Sequence, residues 1–164
     1  MPVKVFALLL LALSGWEAGG EAAKKQTEKY KRLCGVLSLL RSLNDGIRFA
    51  RTGLNEMFSS FHNEYLEKCG FLGLLSSSTF VSVDSAWKNA VECLDAGEEA
   101  RTVLLAFGEG LGKTDFETQT ERIELCISRL SLICEEEGKD LAKKVKSYRA
   151  LGLLASLAAA IILY

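Results

Sequence analysis

The chain has 164 residues, 49% hydrophobic and 25% charged, with 20 Lys+Arg against 21 Asp+Glu for a formal net charge of −1. That length supports one domain with a packed core, needing neither metal nor disulfide staples. The neutral balance argues against non-specific nucleic-acid binding, which needs many cations to displace phosphate counterions, and the apolar share excludes a disordered chain.

In chain order, the first element is an apolar run. From residue 3 to residue 16 the only charge is Lys4, and residues 5–13 carry no strong polar group. Two explanations are open. A Lys near the start, a short apolar stretch and the small residues Ala18, Gly19 and Gly20 fit a cleavable secretory signal; the same run fits an uncleaved membrane anchor over residues 1–20. A basic collar follows, Lys24, Lys25, Lys29, Lys31 and Arg32 opposed only by Glu28.

A first helix is predicted from about Glu21 to Asn44, with Leu33, Val36, Leu37, Leu40 and Leu43 on one stripe and a stop or weak point at Asn44, Asp45 and Gly46. Leu54, Met57, Phe58 and Phe61 repeat at threes and fours, and a further helical stretch from Tyr65 to Leu75 is interrupted at Gly70 and Gly73. Residues 76–79 read as a loop. Ala86, Trp87, Ala90, Val91 and Leu94 form another apolar face, entered through Asp84 or Ser85 as cap and left at Ala96 and Gly97.

Val103, Leu104 and Phe107 belong to the next helix, which ends in Gly108, Gly110 and Gly112. Thr114 to Glu117 fits a capping box, so a helix should start at Asp115. Phe116, Thr120, Ile123, Ile127, Leu130 and Cys134 recur at threes and fours along it, and it can continue, with a weak place at Gly138, through a second collar. That collar is Lys139, Lys143, Lys144, Lys146 and Arg149 against Asp140 alone. Residues 150–164 then carry no charge; fifteen helical residues reach about 22 Å, short of a ~30 Å hydrocarbon core unless the bilayer thins or the helix extends inward.

The fold class expected is all-α, a helical bundle with apolar membrane-anchoring helices at both termini. Its domains are an anchor over 1–20, a cytosolic bundle over 21–149 and an anchor over 150–164. Basic residues accumulate on the cytoplasmic side of membrane segments, so two collars place the middle in the cytosol, and this symmetry favours anchor over signal peptide. Between the collars, residues 33–138 hold nine basic against seventeen acidic residues: an acidic bundle between basic borders. The five cysteines, an odd number without C-x-x-C spacing, suit a reducing compartment and the role of small buried apolar residues.

The residue types that carry catalytic or ligand chemistry are sparse. A lone histidine, His62, makes no cluster; Cys69, seven residues later, can share a helix face with it, but nothing else of a triad is specified. The run from Phe107 to Thr114 imitates a phosphate-binding loop, but the first glycine of G-x-x-x-x-G-K-[ST] would fall on Phe107 and a helix, not a strand, precedes it. Glu135, Glu136 and Glu137 fan around a helix as a solvated face. No enzyme activity, cofactor, metal or small-molecule substrate is expected.

Leu111, Gly112, Thr114, Asp115 and Gln119, followed by a long helix and then Tyr148, Arg149, Leu151, Gly152 and Leu154, resemble the stage III sporulation protein AB family. In that family L-G-x-[ST]-D-x-x-x-Q precedes a helix ending Y-R-x-L-G-x-L before a terminal membrane segment. The chain departs from it at Gly53, where Pro is usual, and at Ala155 and Ser156, where a second glycine is frequent. The resemblance implies a component of the secretion-like channel joining mother cell and forespore in endospore formation. It also implies a soluble domain similar to the cytoplasmic part of the type II secretion and type IV pilus platform protein. The partners it implies are the secretion-type ATPase stage III sporulation protein AA and other channel subunits, with the chain in the mother-cell membrane facing the forespore. Gly112, Thr114, Asp115 and Gln119 then have two roles open, a helix cap or a partner surface. The alternative is a secreted or singly anchored helical binding protein with a cleaved signal peptide.

Overall fold

The computed structural model describes residues 2–50, 54–76, 82–109, 111 and 116–163. Within that set it describes side chains from Gly15 to Ile161, residues 49, 50, 55, 116, 159 and 160 apart. All regular structure among the described residues is helical: α1 (Pro2–Asp45), a π-helical turn (Gly46–Ala50), α2 (Leu54–Ser60), α3 (Glu64–Lys68), α4 (Phe71–Ser76), α5 (Val83–Leu94), α6 (Glu98–Gly108) and α7 (Phe116–Leu163). The chain divides into two compact units, Lys29–Glu136 and a smaller one made of Met1–Glu28 with Glu137–Tyr164.

The larger unit follows the apolar stripes. Leu33, Val36, Leu37, Leu40 and Leu43 are buried as their spacing predicts, joined by Leu39. They share one core with Phe58, Leu66, Phe71, Leu94, Leu104, Ile123 and Leu130. At its centre stands Trp87, fully buried, edge-on to Phe71 at 5.6 Å and to Phe107 at 5.2 Å and tilted against Phe58 at 6.4 Å. An indole N–H left unpaired in such a site costs stability; here it donates to the Leu104 carbonyl at 2.8 Å. Gly108, at the last position of α6, leaves room for this ring: a Cβ there would run into the Trp87 indole.

Chain turns follow local chemistry. Asn63 caps α3, its side chain accepting from the backbone N–H groups of Tyr65 and Leu66. Gly70, at φ +83°, supplies the left-handed link to α4, whereas Gly73 does not interrupt that helix. The cap of α5 is Ser82 rather than Asp84 or Ser85. Asp84 instead accepts from the Ser82 hydroxyl and the Ser85 N–H at the same turn. The helix ends at Asp95 in the left-handed conformation, which a short Asp tolerates better than most residues.

The two outer helices are longer than their apolar stripes predict. α1 passes unbroken through Ala18, Gly19 and Gly20, so the N-terminal run and the first amphipathic helix are one element. α7 is described from Phe116, the expected start at Asp115 lying outside the described residues, and runs 48 residues without a break at Gly138. Among the described residues no helix is long and apolar enough to cross a membrane.

Candidate functional site

The smaller unit is a pairing of the two chain ends, and small residues make it. Gly15 and Gly19 lie one turn apart on α1, Gly152 and Ser156 one turn apart on α7. A Cβ on Gly15 would sit 2.5 Å from Ser156 Cβ and 2.6 Å from the Gly152 carbonyl oxygen. One on Gly19 would sit 2.9 Å from the Tyr148 carbonyl oxygen, and one on Gly152 2.9 Å from Gly19 Cα. Real Cβ atoms do not come so close, so the helices meet backbone to backbone, as small-x-x-x-small pairs allow. Ser156 is buried and its hydroxyl donates to the Leu153 carbonyl at 2.8 Å, so it fills this face without an unpaired polar group. Away from the seam the same helix is exposed and apolar: Leu151 60%, Leu154 61%, Leu157 61% and Ile161 71%, with Trp16 on α1 at 55%.

The collars adjoin the paired segments in sequence. Lys24, Lys25, Lys143, Lys146 and Arg149 are exposed, while Lys29, Arg32 and Lys144 are half-buried. Lys31 donates to the Tyr65 hydroxyl at 2.6 Å. Lys144 bonds Glu137 at 2.7 Å, which holds its ammonium above the ordinary lysine range; Lys143 stands 3.4 Å from Asp140.

Of the segment expected to cap a helix or meet a partner, Gly112, Thr114 and Asp115 lie outside the described residues. Gln119 is half-buried on the first turns of α7, and its side-chain nitrogen is buried without a hydrogen-bond partner. Further along, Leu125 and Leu132 are 55% and 66% exposed, two turns apart. Arg122, Leu125 and Arg129 border a cleft of about 150 Å³ against Val103, Ala106 and Phe107 of α6.

The chemical candidates resolve plainly. His62 sits outside any helix, strongly exposed, and pairs with Glu67 at 3.3 Å. Cys69 instead points its thiol at the Leu66 carbonyl, so the two do not share a helix face. The mimic of a phosphate-binding loop follows helix α6, with Gly108 inside it. Among the described residues no three His, Cys, Asp or Glu side chains are grouped to hold a metal. Cys126 and Cys134 are buried as expected, Cys34 and Cys69 half-buried, and Cys93 is exposed against expectation. Spacing alone does not reveal that Cys34 lies beside both Tyr30 and Cys134, linking α1 to α7 a hundred residues on. Burial pushes the Cys126 and Cys134 thiols up to about 12. Such thiols pack; they do not attack.

The regular structure among the described residues is all helical, with a glycine-lined pairing of the chain ends, and this defines an all-α protein. The chain belongs to the stage III sporulation protein AB family, whose model matches residues 4–164, and its role is accordingly sporulation-related. No curated protein and no solved structure matches it.

Proposed function

We propose that the chain is a non-enzymatic, membrane-anchored scaffold of the channel between mother cell and forespore, its acidic bundle lying in the mother-cell cytosol. The observation that carries this is the seam of Gly15, Gly19, Gly152 and Ser156. It joins the two apolar ends into one helix pair whose outward side chains include the exposed, apolar Trp16, Leu151, Leu154, Leu157 and Ile161. In water such a surface is unfavourable by roughly 25 cal/mol for each Å² of apolar area; in lipid it is at home. The seam also speaks for an uncleaved N-terminus, since removal of residues 1–20 would strip Gly152 and Ser156 of their partners.

Docking of the secretion-type ATPase, stage III sporulation protein AA, and of other channel subunits belongs to the larger unit. There Leu125 and Leu132 stand exposed beside Arg122 and Arg129, a surface suited to an apolar partner with acidic edges. Cys93, exposed in α5, reports topology without any substitution. In intact cells a membrane-impermeant maleimide should leave Cys93 unmodified and label it after permeabilisation. Labelling before permeabilisation overturns the cytosolic placement. Co-purification of the ATPase with the wild-type chain but not with Leu125→Asp/Leu132→Asp tests the docking face; equal recovery sinks it.

A further inference from the structure

On α7 a groove of about 370 Å³ is lined by Asp140, Lys143, Lys144, Ser147, Tyr148 and Leu151. These positions recur at threes and fours, one face of the helix. The same face continues past Leu151 into Leu154, Leu157 and Ile161, all exposed. One strip of helix is thus cationic and hydroxyl-bearing at one end and aliphatic at the other. From Tyr148 to Ile161 it extends about 20 Å, enough for the acyl chains of one leaflet, which occupy about half of a ~30 Å core.

We infer that this groove binds the headgroup of an anionic glycerophospholipid, with the acyl chains laid along Leu151, Leu154, Leu157 and Ile161. The Lys143 and Lys144 ammonium groups meet the phosphodiester, and the Ser147 and Tyr148 hydroxyls supply neutral donors beside it. The carboxylates now facing the lysines do not oppose this strongly. The Lys143–Asp140 pair is exposed and the Lys144–Glu137 pair half-buried at the surface, where an ion pair contributes little and exchanges readily. An ammonium has three donors, so Lys144 can hold Glu137 and a phosphate oxygen together. The aliphatic continuation is what selects a lipid over a soluble phosphate, which would use the groove and leave the strip uncovered. The inference rests on the proposed membrane anchorage and adds a lipid preference to it.

The test uses the full chain reconstituted into vesicles of equal parts phosphatidylcholine and phosphatidylglycerol, re-extracted in mild detergent, with retained lipids counted by native mass spectrometry. The wild-type chain should retain phosphatidylglycerol over phosphatidylcholine. Lys143→Gln/Lys144→Gln should lower that retention about tenfold, with helicity by circular dichroism unchanged. Lys139→Gln/Lys146→Gln, which removes the same charge from a neighbouring face, should keep most of it. Equal loss in both variants would reduce the groove to general collar charge and overturn the inference, as would equal retention of the two lipids. Stripping of the lipid by inorganic phosphate would overturn the choice of a lipid. A chain that does not float with either kind of vesicle refutes the anchorage itself, and the groove with it; a chain that floats without lipid preference refutes the groove alone.

Discussion

Gly108 and Trp87 show how one missing methyl group sets a core. The indole occupies the volume a Cβ would need, and its N–H satisfies the Leu104 carbonyl one turn earlier on the same helix. Gly108→Ala should therefore lower stability by about 1–3 kcal/mol through overpacking, read as a reduced urea midpoint. The buried thiols make a prediction with a definite sign. Cys126 and Cys134, pushed up to about 12 from an ordinary 9, keep their protons in the folded chain while the unfolded chain releases them. Their contribution is whole below pH 9 and is lost as pH rises from about 9 towards 12. Urea midpoints measured across that range should fall with pH, and Cys126→Ala/Cys134→Ala should flatten the fall even though it lowers stability at neutral pH. The buried state of Cys126 and Cys134 was legible from their helical spacing. The Cys34–Cys134 contact was not, because it depends on the register of two helices whose sequences say nothing of each other.

At the scale of elements, helical pattern located the stripes, the stop at Asp45 and the interruption at Gly70, because each depends on a few neighbouring residues. It misplaced the α5 cap, where three side chains, Ser82, Asp84 and Ser85, compete for the same turn. It also began the first amphipathic helix only after Ala18, Gly19 and Gly20 and left Gly138 as a weak place, since glycine is costly in an isolated helix. Tertiary packing overrides that cost. Gly19 and Gly20 make the contrast measurable: a Cβ on Gly19 meets backbone of α7, while one on Gly20 meets nothing within 4 Å. In thermal unfolding of the detergent-solubilised full chain, Gly20→Ala should stabilise by about 0.5–1 kcal/mol, as any helical Gly→Ala without a clash does. Gly19→Ala should destabilise by about 1–3 kcal/mol through overpacking. Equal effects would mean that the two ends do not pair along this seam.

For the whole molecule, a net charge of −1 conceals an acidic bundle between two basic borders. That segregation was legible in the sequence, as were the all-helical class and the family motifs around Gln119 and Tyr148. What the sequence left open was how the ends relate to each other. The small-x-x-x-small spacing of Gly15 with Gly19, and of Gly152 with Ser156, is visible in each end separately, yet only the folded chain brings the two together. The family's frequent second glycine is replaced by Ala155 and Ser156, and the serine still serves: it lies buried against Gly15.

The proposed membrane scaffold requires that residues 1–20 remain in the mature protein as one half of the helix pair. Intact-mass measurement of the chain recovered from the carbonate-resistant membrane fraction of sporulating cells tests it most directly. A mass that includes residues 1–20 is the predicted result. A mass lacking them, or a chain released from the membrane by carbonate, would contradict it.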